Sequence, residues 1–115
     1  MPLITVTYAT SRERPQLKSE IAAAVSDLTA RILHKDPKVT AIIVKPADAA
    51  DWFAGGKSLA EQGLASYWLD IHITEGTNTK DEKAAYLAAL FKRMGELLGP
   101  LHTESYAHER RLNAL

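Results

Sequence analysis

The chain contains no cysteine and carries no excess of charge of either sign. Without cysteine it can form no disulfide, no thiolate metal site and no thiol nucleophile. Lysine plus arginine and aspartate plus glutamate each number 14, so the formal net charge is zero. A non-specific nucleic-acid binder would carry a basic excess, and we therefore expect no nucleic-acid partner.

Long apolar runs are missing as well. No apolar stretch approaches the roughly 20 residues that span a bilayer. The N-terminal sequence also lacks the basic segment followed by an apolar one that is typical of a secretory signal. We therefore expect a cytoplasmic protein without a membrane partner. The four histidines show no His-x-His or helical pairing, so we expect no metal site; they are His34, His72, His102 and His108.

The residues that are present suit one compact domain over residues 1–115, with 46% hydrophobic and 24% charged. Residues 3–8 alternate in polarity, which predicts a strand with one buried face. A helix is predicted after this strand. It should end before Pro37, because proline disfavours helix at the residue before it. The apolar stripe of that helix has steps of three and four and comprises Leu17, Ile21, Ala24, Val25, Leu28 and Ile32.

Residues 39–44 predict a second strand, and their nearly continuous apolar character favours a central place in a sheet. Residues 45–63 indicate a loop or short hairpin, with a helical turn at 58–62. The pattern then restarts at residues 67–74. There, Trp68, Asp70 and His72 would share one strand face, and Leu69, Ile71 and Ile73 the other.

A second long helix follows, from a capping box of Thr79 and Glu82 to the stop signal Gly99-Pro100. Residues 103–108 predict a short fourth strand, and residues 109–115 a charged tail. The apolar stripe of this helix comprises Leu87, Leu90, Phe91, Met94, Leu97 and Leu98.

The order βαβ, connection, βαβ divides the chain into pseudo-repeats, about residues 2–56 and 66–108. Each unit should have parallel strands and a right-handed crossover. We predict an α+β fold in which both units share a four-stranded mixed sheet with the two helices on one face. The other face would lie bare, and another copy of the chain is its expected cover.

Several short motifs in this order resemble the tautomerase superfamily. Met1-Pro2 before a strand, followed by a turn and Arg12, is similar to 4-oxalocrotonate tautomerase, and the aromatic and double-glycine segment at 52–56 resembles its hairpin. Residues 35–39, Lys-Asp-Pro-Lys-Val, look like the macrophage migration inhibitory factor branch. The double βαβ length is similar to that branch and to 5-carboxymethyl-2-hydroxymuconate isomerase. The resemblance implies a homotrimer whose three sheets pack into a barrel with the helices outside.

The resemblance also implies that Pro2 is the catalytic base once Met1 is removed. An α-amino group has a reference pKa near ~7.7–8.0, and burial or a nearby cation lowers it. A neutral amine can then take a proton from carbon and return it elsewhere.

Arg12 would bind a substrate carboxylate through its guanidinium fork, although Arg14 can compete for that role. Lys35 matches a lysine near the proline pocket, and the alternative is a cation placed to interact with the helix C-terminus. Trp52 would form an apolar pocket wall, with Phe53 as a substitute, and the alternative is a hairpin or subunit contact.

One position departs from the family pattern. The second arginine of 4-oxalocrotonate tautomerase falls on Thr40 here. Arg110, Arg111 or no residue at all can take its place. The specific 4-oxalocrotonate reaction is therefore not implied.

The expected function is a keto–enol tautomerase that needs no cofactor or metal. Its substrate would be a small anionic 2-hydroxydienoate or a phenylpyruvate-like compound. The alternatives are a hydratase or dehalogenase on the same scaffold, with protonated Pro2 as the acid, and a non-catalytic trimeric binding module.

Overall fold

The computed structural model describes residues 2–74, 78–103 and 105–112, with the backbone alone at 73–74 and 106–112. Expectations for Met1, for the Ile73 side chain and for residues 113–115 lie outside the described part. The elements in chain order are β1 (Leu3–Ala9), α1 (Leu17–Leu33), β2 (Ala41–Pro46), β3 (Phe53–Ala54), β4 (Lys57–Ser58), α2 (Leu59–Gln62), β5 (Ser66–Thr74), α3 (Lys80–Leu98) and β6 (Tyr106–Leu112).

Four strands form one mixed sheet in the order β2-β1-β5-β6. β1 and β2 are parallel with Leu3 beside Ala41, and β5 and β6 are parallel with Trp68 beside Tyr106. The partners lie 38 positions apart in both pairs, so the pattern repeat is also a structural one. β1 and β5 are antiparallel and join the two units at the centre of the sheet. The predicted α+β fold with a four-stranded mixed sheet is confirmed.

The prediction of a central second strand is wrong, because β2 lies at the edge of the sheet. Only Ile42 and Val44 are partly buried, whereas Ile43 points to the other face and is 44% exposed. The run of apolar residues in β2 indicates burial on both faces, but one of its apolar faces is exposed. β2 also begins two residues later than expected, because Asp36 caps a 3₁₀ turn at Pro37–Val39.

The fourth strand was predicted at residues 103–108, but β6 begins at Tyr106 and continues to Leu112. A parallel bridge between Ala65 and Leu101 and a hydrogen bond between the Ser66 and Ser105 hydroxyls (2.8 Å) precede it. Four residues assigned to a charged tail therefore belong to the strand. The long partner strand β5 continues the pairing as far as Thr74, which a short window of sequence does not indicate.

Both long helices pack on one face of the sheet. The strand residues Ile4, Val6, Leu69 and Ile71 are buried with the helix residues in one core, which includes Leu17, Ile21, Val25, Leu28, Tyr86, Leu90, Met94 and Leu98. The stripe of α1 is as predicted as far as Leu28, but at its end Thr29 and Leu33 are buried and Ile32 is only partly buried. The stripe of α3 is shifted: Tyr86 replaces Leu87, which is 45% exposed, and Phe91 is 42% exposed. A step of four residues from Leu90 reaches Tyr86 and Met94, which share its face of the helix. Leu87 and Phe91 each lie one position further along and face away from the core.

The opposite sheet face carries no helix in the described part of the chain. Leu3, Ile43 and Trp68 are exposed on it, and Thr5 and Asp70 on the same face are partly buried. This open face is the bare surface that the sequence predicts. No helix within the described ranges is long and apolar enough to cross a membrane.

The capping box at the start of α3 gives a test of helix stability. The Thr79 hydroxyl accepts from the Glu82 N–H (3.1 Å), and the Glu82 carboxylate accepts from the Thr79 N–H (2.8 Å). We expect Thr79→Ala to lower the free energy of unfolding by about 1 kcal/mol, measured by urea denaturation at fixed protein concentration.

Gln16→Ala is the matched control, because Gln16 occupies the N-cap of α1 without a side-chain cap hydrogen bond. It should change the same free energy by less than about 0.5 kcal/mol. Equal losses in the two variants would contradict this account of α3.

Candidate active site

Pro2 is buried directly before the central strand β1. Its carbonyl oxygen accepts a hydrogen bond from the Ala41 N–H at 3.0 Å, which ties it to the start of β2. The main chain on the carboxyl side of the Pro2 ring is therefore fixed by the sheet. This is the rigid placement that an N-terminal base requires.

Lys35 lies at the same end of the sheet as Pro2, because α1 runs back along β1 and returns the chain there. His34 ends α1 in the left-handed conformation, with φ 58°. The Lys35 N–H then donates to the Thr29 carbonyl oxygen at 3.4 Å. Lys35 itself is partly exposed. Its position suits both a pocket lysine and a cation beside the helix C-terminus.

Contacts from the second unit hold this end of α1. The Asn78 side-chain amide donates to the Leu33 carbonyl oxygen (2.9 Å), and His34 Nε2 lies 3.1 Å from Glu82 Oε2. The Thr79 N–H lowers the pKa of Glu82, and His34 adds to that effect. The segment before Lys35 is thus anchored to the start of α3.

Thr40 has a structural role at the position of the missing second arginine. Its hydroxyl donates to the Asp36 carbonyl oxygen at 2.8 Å and closes the turn before β2. It carries no charge for a substrate acid. The side chains of Arg110 and Arg111, the possible replacements, lie outside the described part.

Arg12 and Arg14 occupy the turn beyond the far end of β1, and the structure separates their roles. The Arg14 guanidinium donates to Glu20 Oε1 (2.8 Å), to the Leu97 carbonyl oxygen (3.3 Å) and to the Arg12 carbonyl oxygen (3.3 Å). Arg12 is exposed, and within the described residues its guanidinium has no hydrogen bond or ion pair. Arg12 is therefore the arginine of this turn that is available to a ligand.

Trp52 and Phe53 lie at the same end of the sheet as Arg12. The segment that carries them starts where Ala47 donates to the Tyr8 carbonyl oxygen (2.7 Å) and returns at β5 beside Ala9. Trp52 is partly exposed, and Phe53 is 62% exposed at the start of β3.

The hairpin of β3 and β4 is built to project from this end. Gly55 and Gly56 both have positive φ, 66° and 81°, as a tight two-residue hairpin turn requires. The Gln62 side chain donates to the Ala54 and Lys57 carbonyl oxygens at 3.0 and 3.1 Å. The hairpin is thus fastened to α2, and Phe53 is presented outward.

One chain does not bring the five predicted site residues together. Pro2 and Ala9 are separated by about 23 Å along β1, at about 3.3 Å per residue, and Arg12 lies beyond Ala9. Pro2 and Lys35 therefore occupy one end of the sheet, while Arg12, Trp52 and Phe53 occupy the other. Within a single chain, Pro2 and Arg12 are therefore too far apart to contact one small molecule together.

The comparison with known proteins decides the family. Residues 2–62, just over half of the chain, match the Tautomerase enzyme family. The chain is a member of the tautomerase family. The matched segment includes all five predicted site residues. No curated protein matches the chain.

Solved structures share the tautomerase fold over nearly the whole chain. A fused 4-OT described as a wild-type symmetric trimer has TM-score 0.80 and 22% identity, covering 96% of this chain and 85% of its own. A macrophage migration inhibitory factor-like protein from Entamoeba histolytica has TM-score 0.79 and 18% identity, covering 97% and 89%. Pt0534, crystallised after inactivation by 2-oxo-3-pentynoate, has TM-score 0.81 and 14% identity, covering 96% and 85%.

The sequence patterns did not indicate two residues that contact the Arg12 turn. The Thr10 hydroxyl donates to the Leu98 carbonyl oxygen (2.6 Å), and Gly99 lies beneath the Arg12 side chain. No sequence pattern marks Thr10, and the Gly99-Pro100 stop signal indicates only the end of a helix. The described residues contain no group of three or more His, Asp or Glu side chains arranged to hold a metal.

The two arginines should differ in their contribution to stability. We expect Arg14→Ala to lower the free energy of unfolding by about 1 kcal/mol, because its ion pair with Glu20 is half-exposed and screened. Arg12→Ala should change it by less than about 0.5 kcal/mol. Urea denaturation of both variants measures the difference, and a larger loss for Arg12→Ala would show that Arg12 is structural.

Proposed function

We propose that the protein is a cofactor-independent keto–enol tautomerase of small 2-oxo or 2-hydroxydienoic acids, with the Pro2 amine as its base. The observation that carries the proposal is the buried Pro2 at the head of the central strand of a tautomerase fold. An enzyme of this kind needs a base of adjustable pKa that is held rigidly. The burial of Pro2 and the hydrogen bond from the Ala41 N–H to its carbonyl oxygen support this role.

The chemistry depends on removal of Met1. While Met1 is attached, amide resonance occupies the lone pair of the Pro2 nitrogen. After its removal the nitrogen is a secondary amine whose pKa burial lowers, so that the neutral form exists at neutral pH. The amine accepts the enol proton of the substrate, and the resulting ammonium returns a proton to carbon, which gives the keto acid and the free amine again.

The complete site is formed between copies of the chain. Pro2 and Arg12 occupy opposite ends of the sheet, so the amine of one subunit and the arginine of another must come together. The open face, with Leu3, Ile43 and Trp68 exposed, favours association through the sheets. The trimer stated for the similar fused 4-OT supports a homotrimer here.

In this arrangement each of the other predicted residues has a distinct task. The Arg12 guanidinium binds the substrate carboxylate in bidentate fashion and, from the neighbouring subunit, keeps the Pro2 amine neutral. Trp52 and Phe53 exclude water from the pocket. Lys35 adds a second positive charge at the Pro2 end.

The first test concerns Pro2 itself. Intact-mass measurement of natively produced protein should show loss of one methionine. Phenylpyruvate enol–keto conversion should follow the processed fraction, and the rate should rise with pH through an amine pKa below the ordinary range. Pro2→Ala should lower kcat/KM by about 10²-fold or more, because a freely rotating primary amine replaces the amine that the proline ring holds in place.

2-Oxo-3-pentynoate, the compound that inactivates Pt0534, provides a second readout. Incubation should place its mass on the N-terminal peptide of the processed protein and leave the Met1-bearing form unmodified. Equal catalysis by the Met1-bearing form would remove Pro2 from the mechanism. A processed protein inert on every enol tried would favour the non-catalytic trimer.

The second test concerns the shared site. Light scattering should give the mass of a trimer, and a stable monomer would contradict this architecture. Pro2→Ala and Arg12→Ala subunits should each form nearly inactive trimers. Unfolded together and refolded as a mixture, they should regain up to about a quarter of the wild-type sites by random assembly. No regain would show that both residues act within one chain.

A further inference from the structure

The turn that carries Arg12 is fastened to the C-terminal end of α3. The Thr10 hydroxyl donates to the Leu98 carbonyl oxygen at 2.6 Å and accepts from the Arg12 N–H at 3.0 Å. Arg14 reaches the Leu97 carbonyl oxygen of the same helix. The last carbonyl groups of a helix have no partner within it, so this turn supplies the missing donors. The backbone of Arg12 is thereby fixed relative to the second unit.

The side chain of Arg12 rests on Gly99. A Cβ atom at position 99 would stand 2.9 Å from Arg12 Nε, 3.0 Å from Cζ and 3.2 Å from Cδ. A side chain at this position would therefore force the Arg12 side chain to shift, because the atoms it meets belong to the flexible end of an exposed arginine. Gly99 also has φ 96° and ψ −166°, a conformation open essentially to glycine alone. The Arg12 side chain therefore occupies space that only a glycine at position 99 leaves open.

We propose that Thr10 and Gly99 are positioning residues that hold the Arg12 guanidinium ready for a carboxylate, so that selectivity for anionic substrates depends on the end of α3. This inference rests on the proposed function of Arg12. A long arginine side chain loses much rotamer freedom on binding a ligand, and a side chain held in place beforehand loses less. Thr10 restrains Arg12 by the hydrogen bond to its backbone N–H, and Gly99, which has no side chain, leaves room for the guanidinium.

The principal variant is Thr10→Val, which keeps the side-chain shape and removes both hydroxyl contacts. We expect it to raise KM for phenylpyruvate about tenfold while kcat changes little, because carboxylate binding is weakened and the proton transfer is not. KM for the uncharged methyl ester of phenylpyruvate should stay at the wild-type value. Thr10→Ser retains a hydroxyl and should restore binding of the acid.

Gly99→Ala tests the contact between Gly99 and the Arg12 side chain. Gly95→Ala, in the last turns of α3, is its matched control. A Cβ at Gly95 would meet only Leu101 Cδ1, at an ordinary 3.7 Å. Gly99→Ala should reproduce the selective rise in KM, and Gly95→Ala should behave as wild type. Gly99→Ala also strains the backbone, so Thr10→Val, which leaves position 99 unchanged, is the decisive variant.

A measurement without catalysis separates this inference from the proposed function. In ¹⁵N-labelled protein, the Arg12 Nε–Hε signal, assigned by its absence in Arg12→Ala, should report a rigid side chain in wild type and Thr10→Ser. It should report a mobile one in Thr10→Val. If the processed protein has no enol activity, the proposed function fails and this signal alone decides the positioning. An unchanged signal in Thr10→Val, or equal rises in KM for acid and ester, would overturn it.

Discussion

The antiparallel pairing of β1 with β5 is the constraint on which the rest of the molecule depends. Leu3 pairs with His72 and Ala9 with Ser66, so the two βαβ units meet head to tail at the centre of the sheet. The start of each unit consequently lies at the end of the other. Pro2 and the start of α3 therefore lie at one end of the sheet, and Arg12 and the end of α3 lie at the other. The length of β1 separates Pro2 from Arg12 within a chain, and the pairing with β5 places a different end of α3 at each of these two ends.

Sequence patterns predicted the features that are set by local interactions. The capping box of Thr79 and Glu82 fixed the start of α3, and alternation along residues 67–72 correctly assigned the faces of β5. The place of β2 in the sheet was not predictable in this way. An apolar strand buried on both faces and an apolar strand with one face open give similar runs of residues, and only tertiary pairing distinguishes them.

The candidate site shows the same division between local and long-range information. A resemblance to a family could name Pro2 and Arg12, but no local pattern distinguishes Arg12 from its competitor Arg14. The difference arises from Glu20 and the Leu97 carbonyl oxygen, which engage Arg14 across a sequence distance of up to 83 residues. Gly99 illustrates the point further. A stop signal after a helix predicts glycine for backbone reasons, yet its contact with Arg12 depends on how the two units pack.

Fusion of two similar units also makes the chain asymmetric in its chemistry. The position that corresponds to Pro2 is Tyr67, because Leu3 and Trp68 occupy the same place in the two strand pairs. Tyr67 lies inside β5, so its nitrogen is an amide of the continuous chain. A nitrogen in that state has no basic lone pair. The second unit therefore cannot supply a base of this kind. What it contributes is structural support for the first unit: the start of α3 holds the segment before Lys35, and its end holds the Arg12 turn. The two ends of α3 thus support residues that lie at opposite ends of the sheet within one chain, and the proposed site requires a second copy of the chain to bring them together.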